Sequence, residues 1–238
     1  MKTRSPANSA GFPLRCAGLI LAGALATGLA KREPTHRLPD GFVDVTEVIP
    51  GVRLELRYLT VNNFIGQPVD GYLQPRAILT EEAAGALAGV QKELEPFGFG
   101  LKIFDAYRPQ RAVDHFVRWA EDPEDIRMKK LYYPGVAKKD LFKEEYIADR
   151  SSHTRGSTVD VTLVSRDGRD LDMGSGFDFF DPKSWPTEQA IPPAARAHRL
   201  LLATLMIKHG FQPYSREWWH FTLRNEPFPD TYFDFPVE

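Results

Sequence analysis

Two short stretches of the chain concentrate side chains that can do chemistry together. The first is Ser151-Ser152-His153-Thr154-Arg155-Gly156-Ser157-Thr158-Val159-Asp160; the second is Arg216-Glu217-Trp218-Trp219-His220-Phe221. His153 lies in a small, polar, glycine-containing run, and Asp160 enters the apolar segment VDVTLV. An ionised carboxylate in such company is costly unless a cation or several donors compensate it, and a divalent metal would do so. In the second stretch a glutamate and a histidine sit inside an aromatic run, which again asks for partners. Two histidines and one carboxylate, with a fourth position open to water, make a sensible catalytic zinc sphere. A glutamate beside such a site can take a proton from the bound water and pass it to a leaving amine. Taken alone, either stretch is weak, because a histidine in an aromatic run is more often a hydrogen-bonded core residue than a ligand.

Cysteine usage narrows the metal chemistry. Cys16 is the only cysteine and lies near the amino terminus, so thiolate metal sites, disulfides and a cysteine nucleophile are excluded from the body of the chain. A further feature, Phe104-Asp105-Ala106-Tyr107-Arg108-Pro109, sets an arginine at a strand-to-helix junction. Arg108 can donate fixed, charge-assisted hydrogen bonds to a substrate carbonyl as it becomes an oxyanion. It can equally tie the turn to Asp105.

The elements that must position these residues are legible in outline. Glu217 and His220 are three apart, which puts them on one face of a helix but on opposite faces of a regular strand. The aromatic composition reads as strand, so a shared site requires a bulge or turn there. Alternation over Gly51–Tyr58 predicts a half-buried strand. Thr80 is placed to cap a helix running to about Glu95. A strand is expected over Gly100–Asp105, a helix from Pro109 to about Ala120, and a short helix near 138–146. Thr158–Val164 reads as a strand, and 194–209 as a helix stopped by Gly210. Strands and helices mix without regular βαβ alternation, which predicts an α+β fold. The expected form is a single domain with a small, mainly antiparallel central sheet flanked by helices and the metal at the sheet.

Bulk properties agree with one sizeable domain. The 238 residues are 42% hydrophobic and 12% aromatic, with a formal net charge of −2. That balance gives no electrostatic reason to bind nucleic acid or an anionic membrane. Lys2, Arg4 and Arg15 precede the uncharged run Cys16–Ala30, which ends in small residues. This pattern describes a secretory signal peptide over residues 1–30, cleaved near Ala26 or Ala30. A polar linker over 31–40 and a catalytic domain over 41–238 follow. The expected location is outside the cytoplasm, in the periplasm, with no membrane contact in the mature form.

In that order, DAYRP, SSHTRGSTVD and EWWH resemble the zinc D-alanyl-D-alanine dipeptidases, the VanX-type enzymes. So do GVRLELRYLTVNNFIGQPVDGY, DAYRPQRAV, MGSGFDFFD and PDTYFDFP, so that the likeness covers roughly residues 42–238. The resemblance implies one zinc per chain on His153, Asp160 and His220. It also implies that Glu217 is the general base and then the acid, and that Arg108 stabilises the tetrahedral intermediate. Asp178 would receive the substrate ammonium, Tyr58 and Tyr72 would line the dipeptide pocket, and Ser151 would contact the substrate near its termini. On composition alone Asp178 reads as a turn aspartate. The implied reaction is hydrolysis of D-alanyl-D-alanine to two D-alanines by metal-bound water, in cell-wall peptide turnover. The alternatives are a D,D-carboxypeptidase or endopeptidase acting on intact peptidoglycan, or a non-catalytic zinc-binding module; Glu217 and Arg108 speak against the last.

Overall fold

The computed structural model of the chain describes residues 37–238. The expected signal peptide and most of the expected linker lie outside the described residues. Among the described residues, no helix is long and apolar enough to cross a membrane.

A five-stranded sheet forms the centre. In spatial order its strands are β2 (Arg53–Leu54), β4 (Phe99–Asp105), β5 (Thr158–Ser165), β7 (Glu217–Leu223) and β6 (Phe211–Tyr214). Only the β2–β4 pair is parallel, so the sheet is mainly antiparallel as the sequence predicts. A separate two-stranded ribbon pairs β1 (Phe42–Asp44) with β3 (Ile78–Thr80). Among the described residues, five α-helices accompany the strands: α1 (Val45–Val48), α2 (Glu81–Leu94), α3 (Gln110–Glu121), α4 (Lys129–Tyr132) and α5 (Pro193–Lys208).

Local chemistry explains the main elements. β5 is buried from Thr158 to Val164, which is why its sequence is a run of β-branched and apolar residues rather than an alternation. Thr80 accepts a hydrogen bond from Ala83 N at 3.4 Å, and Glu81 and Glu82 place negative charge on the first turn of α2. Ala83, Leu87, Val90 and Leu94 give α2 one buried stripe. That stripe packs on β4 and α5, while α5 covers β5, β6 and β7. Gly210 ends α5 in the left-handed region, φ 92°, where an L side chain would be strained.

Two expectations need correction. The alternation over 51–58 does mark which residues face inward, since Leu56 and Tyr58 are buried. Yet only Arg53–Leu54 forms ladder pairs, and Arg57–Leu59 is a 3₁₀ turn. After the Glu55 N–H donates to Ile103 O at 2.9 Å, the chain leaves the sheet edge and turns Tyr58 into the interior. The helix expected near 138–146 is reduced to a 3₁₀ turn over Lys138–Asp140. Glu145 lies at φ 59°, a conformation no right-handed helix can continue through.

Candidate active site

One row across the sheet organises the site. Asp105 on β4 stands opposite Asp160 on β5, which stands opposite His220 on β7. Asp105 and Asp160 are both about 1% exposed. Two carboxylates side by side repel, so the row demands positive charge nearby. His153 comes from the 3₁₀ turn Ser152–Arg155 immediately before β5. Ser151 caps that turn, its Oγ accepting from His153 N at 3.3 Å. Gly156 closes it at φ 85°.

The three candidate ligand atoms form a near-regular triangle. His153 Nε2 lies 3.3 Å from Asp160 Oδ1, His220 Nδ1 lies 3.2 Å from Asp160 Oδ1, and the two ring nitrogens are 3.2 Å apart. Zinc–ligand bonds of about 2.0–2.1 Å in a tetrahedron separate neighbouring ligands by about 3.3 Å. Asp160 Oδ1 is buried, with both ring nitrogens close but neither in hydrogen-bonding geometry. His153 Nδ1 faces the carbonyl oxygen of Ala106 at 2.7 Å. A carbonyl only accepts, so Nδ1 carries the hydrogen and Nε2 presents its lone pair to the triangle. Burial lowers the His153 pKa despite the neighbouring Asp160, which keeps the ring neutral. Burial pushes Asp160 up, but His153 and His220 overcome this and hold it well below the usual carboxylate range. Burial likewise works against protonated His220, yet the Asp160 carboxylate wins and raises it. Three donor atoms converge on one point where Asp160 favours positive charge, which fits a cation, and this donor set suits zinc.

The spacing problem of Glu217 and His220 is solved by a bulge. Pro213 pairs with Phe221 while Tyr214 pairs with Glu217. One step on β6 is therefore matched by four on β7, and the extra residues turn both side chains to one side. Glu217 Oε2 lies 3.5 Å from His220 Nδ1. Burial pushes the Glu217 carboxyl up to about 7, with His220 pulling it back and Asp160 adding to the rise. A carboxyl poised there suits a general base.

Arg108 ties its turn to Asp105, the second of the two readings that its position allows. Its Nε donates to Asp105 Oδ2 at 2.9 Å, and its Nη2 lies 3.7 Å from Asp160 Oδ2. The guanidinium rests over the rings of Tyr58 and Phe116, about 5 Å from each centroid. The side chain still reaches the cavity wall. Asp105 is the residue that sequence reasoning treated only as a possible tether. It also accepts from the Tyr72 hydroxyl at 2.7 Å, so it is the fixed point that aims Arg108. Ser152 was also missed, although it adjoins His153 in the same motif. Its Oγ lies 3.2 Å from His220 Nε2.

A cavity of about 520 Å³ opens onto this cluster. Tyr58, Arg108, Ser151, Asp178 and Glu217 line it together with His153, Asp160 and His220. Tyr72 does not: it stands behind the wall, holding Asp105, and the expectation that it lines the pocket is corrected. The reason is the row across the sheet, which puts Asp105 between the Tyr72 hydroxyl and Arg108. Asp178 is buried at φ 58°, a costly conformation for a non-glycine residue. Tyr58 donates to its Oδ2 at 2.9 Å. Burial, followed by the charges of Asp160 and Glu217, raises its pKa well above the ordinary value. A strained, buried carboxylate facing a cavity without a cation of its own is suited to receive one from a ligand.

The carboxy-terminal tail braces the back of the site. Phe235 stacks on Tyr107 with centroids 4.0 Å apart, Asp234 accepts from Arg111, and Phe233 N donates to Thr154 O at 3.0 Å. The tail thus ties the start of α3 to the turn that carries His153.

The chain is similar to known proteins over most of its length. A family model described as D-ala-D-ala dipeptidase, of the M15 peptidases, matches residues 39–238. The D-alanyl-D-alanine dipeptidase of Streptomyces coelicolor is 46% identical over 197 residues, 82% of this chain and 98% of the relative. That of Enterococcus faecalis is 45% identical over 201 residues, 84% of this chain and 100% of the relative. The Escherichia coli enzyme of the same name is 35% identical over 185 residues, 76% of this chain and 84% of the relative. A solved LD-carboxypeptidase, LdcB, overlays on 82% of this chain and 72% of its own with a TM-score of 0.38 at 18% identity. The match over nearly all the described residues makes the chain a member of the D-ala-D-ala dipeptidase family of M15 peptidases.

Proposed function

We propose that this protein is a zinc dipeptidase that hydrolyses free D-alanyl-D-alanine to two D-alanines. The observation that carries the reading is the single cavity that joins a cation-seeking carboxylate, Asp178, to the His153–Asp160–His220 triangle and Glu217. Preference for D-residues comes from the relatives, all three of which bear the name D-alanyl-D-alanine dipeptidase.

Each side chain then has a task. Asp178, held by Tyr58, binds the substrate ammonium and fixes the amino end of the dipeptide. When bound by His153, Asp160 and His220, one zinc ion per chain supplies Lewis acidity and lowers the pKa of nearby water to about 7. Glu217 takes a proton from the attacking water, whose oxygen joins the carbonyl carbon. Arg108 donates to the carbonyl oxygen as negative charge develops on it. Glu217 then protonates the departing amine as the C–N bond breaks. Ser151 stands at the wall where the substrate's ends are read.

Release of D-alanine by purified, zinc-loaded protein, with D-Ala-D-Ala compared against Nα-acetylated and longer D,D-peptides, tests the reading. Selective cleavage of the free dipeptide supports it. Faster cleavage of blocked, longer peptides would instead identify a D,D-carboxypeptidase or endopeptidase. We further place the enzyme outside the cytoplasm, in turnover of cell-wall peptides, on the pattern of residues 1–30. Amino-terminal sequencing of the protein from a periplasmic fraction checks this; an intact leader on cytoplasmic protein overturns it.

A further inference from the structure

Arg199, on α5, is 4% exposed. Burial lowers its pKa to about 10, which leaves it charged near neutral pH. Glu188 and Asp172 favour its charge through space. Its hydrogen-bond donors all go to one loop. Nε donates to Met173 O at 2.6 Å, Nη1 to Trp185 O at 2.8 Å, Nη2 to Lys183 O at 2.8 Å and Nη2 also to Ser175 Oγ at 3.3 Å. These acceptors flank Asp178 on both sides. The guanidinium therefore clamps the two limbs of the loop that presents the ammonium-binding carboxylate.

Ser175 extends the clamp to the catalytic strand. Its Oγ also lies 3.0 Å from Trp218 Nε1 and 2.9 Å from Ser184 Oγ. Arginine and indole nitrogens only donate, so both lone pairs of Ser175 Oγ are occupied and its own hydrogen must go to Ser184. Ser184 in turn donates to Phe179 O at 2.6 Å. Every proton in this chain of bonds has one direction. It runs from Trp218, next to Glu217, to Phe179, next to Asp178.

We propose that Arg199 is a positioning residue which, through Ser175, sets the distance between Asp178 and Glu217 and so restricts cleavage to substrates whose free amine stands one residue from the scissile bond. This rests on the dipeptidase reading above. Asp178 has a strained backbone, so it keeps its place only while its surroundings hold it. The Arg199 clamp is what holds both ends of its loop.

The test uses full-length, zinc-loaded protein, wild type, Arg199→Met and Ser175→Ala. Three substrates are compared: D-Ala-D-Ala, β-alanyl-D-alanine, whose amine is one methylene farther away, and propionyl-D-alanine, which has no amine. For Arg199→Met, KM for D-Ala-D-Ala should rise about tenfold or more, the size of a lost buried charge-assisted contact. The preference for D-Ala-D-Ala over β-alanyl-D-alanine should fall by a similar factor. Turnover of the amine-free substrate and zinc stoichiometry should stay within about threefold. Ser175→Ala should move the same ratios in the same direction by about threefold, and it decides the matter alone if Arg199→Met does not fold. Equal losses on all three substrates would show a merely structural arginine and overturn the proposal. Unchanged ratios in folded variants would also overturn it, while leaving the dipeptidase reading intact. A wild type that cleaves no dipeptide would remove the dipeptidase reading itself, and this inference with it.

Discussion

Tyr58 donates its hydroxyl hydrogen to Asp178 Oδ2 at 2.9 Å across 120 residues of chain. The bond joins the 3₁₀ turn at the sheet's edge to the left-handed corner at Asp178, and it aims a buried carboxylate at the cavity. Under the proposed function, this unfavourable setting is kept for the substrate ammonium rather than for the fold.

Asp178→Asn should therefore stabilise the protein while disabling it. The folded pKa of Asp178 is raised, so its contribution to stability is full below the unfolded value of about 3.9 and is lost as pH rises through the folded value. Near neutral pH the ionised form costs stability, and asparagine removes that cost, on the order of 1 kcal/mol. Thermal unfolding at neutral pH should show a higher Tm. Steady-state assays should show kcat/KM for the free dipeptide lower by about 100-fold, mostly through KM.

Glu217→Gln should leave zinc content unchanged and lower kcat by about 100-fold or more. The base is the deprotonated form, so wild-type kcat/KM should rise with pH through the Glu217 pKa. Burial pushes that carboxyl up to about 7, and a bound dication shifts the limb toward lower pH. A pH profile of the two proteins checks this: the limb should be present in the wild type and missing from residual Glu217→Gln activity.

Arg108→Lys keeps the charge but loses the planar fork that spans Asp105 and the cavity. A lysine can meet Asp105 or the carbonyl oxygen, not both. Turnover should fall by about 100-fold or more with KM changed much less, as for the loss of an oxyanion donor. Full activity in this variant would rule out a role for the guanidinium geometry.

Metal removal should cost both activity and stability. Chelation should abolish dipeptide hydrolysis and lower Tm, since ligand binding stabilises the folded state by mass action. Added zinc should restore both. Asp160→Asn should weaken zinc uptake, measured by metal analysis after dialysis, because it removes the negative charge shared by His153 and His220.

Gly156→Ala is expected to destabilise the protein by about 1–3 kcal/mol. The backbone there is at φ 85°, and a Cβ would stand 2.2 Å from a ring atom of Phe42. Chemical denaturation gives the loss directly. Zinc affinity should fall too, because this glycine closes the turn that presents His153.

The sequence by itself nominated a chemistry. Residue types at His153, Asp160, Glu217 and His220, with a single cysteine near the amino terminus, were enough to nominate a histidine–carboxylate metal with a base beside it. Long elements were equally legible: α2, α3, α5, β4 and β5 carry their own caps, stops and buried stripes within a local window. What local pattern did not carry was partnership. The alternation of residues 51–58 reported which side chains face inward, but ladder pairing depends on how far β4 extends alongside, and it ends at Leu54. Tyr72, which the resemblance places in the pocket, stands behind Asp105, which accepts its hydroxyl hydrogen. The bulge that brings Glu217 and His220 to one side is a register shift against β6, a property of two strands rather than one. Arg199 has no motif around it, because its meaning lies in which loop oxygens meet it across the fold. Side-chain chemistry and short-range periodicity are written in the chain; register, aim and the separation of the two ends of the site exist only once distant segments share a sheet and a core.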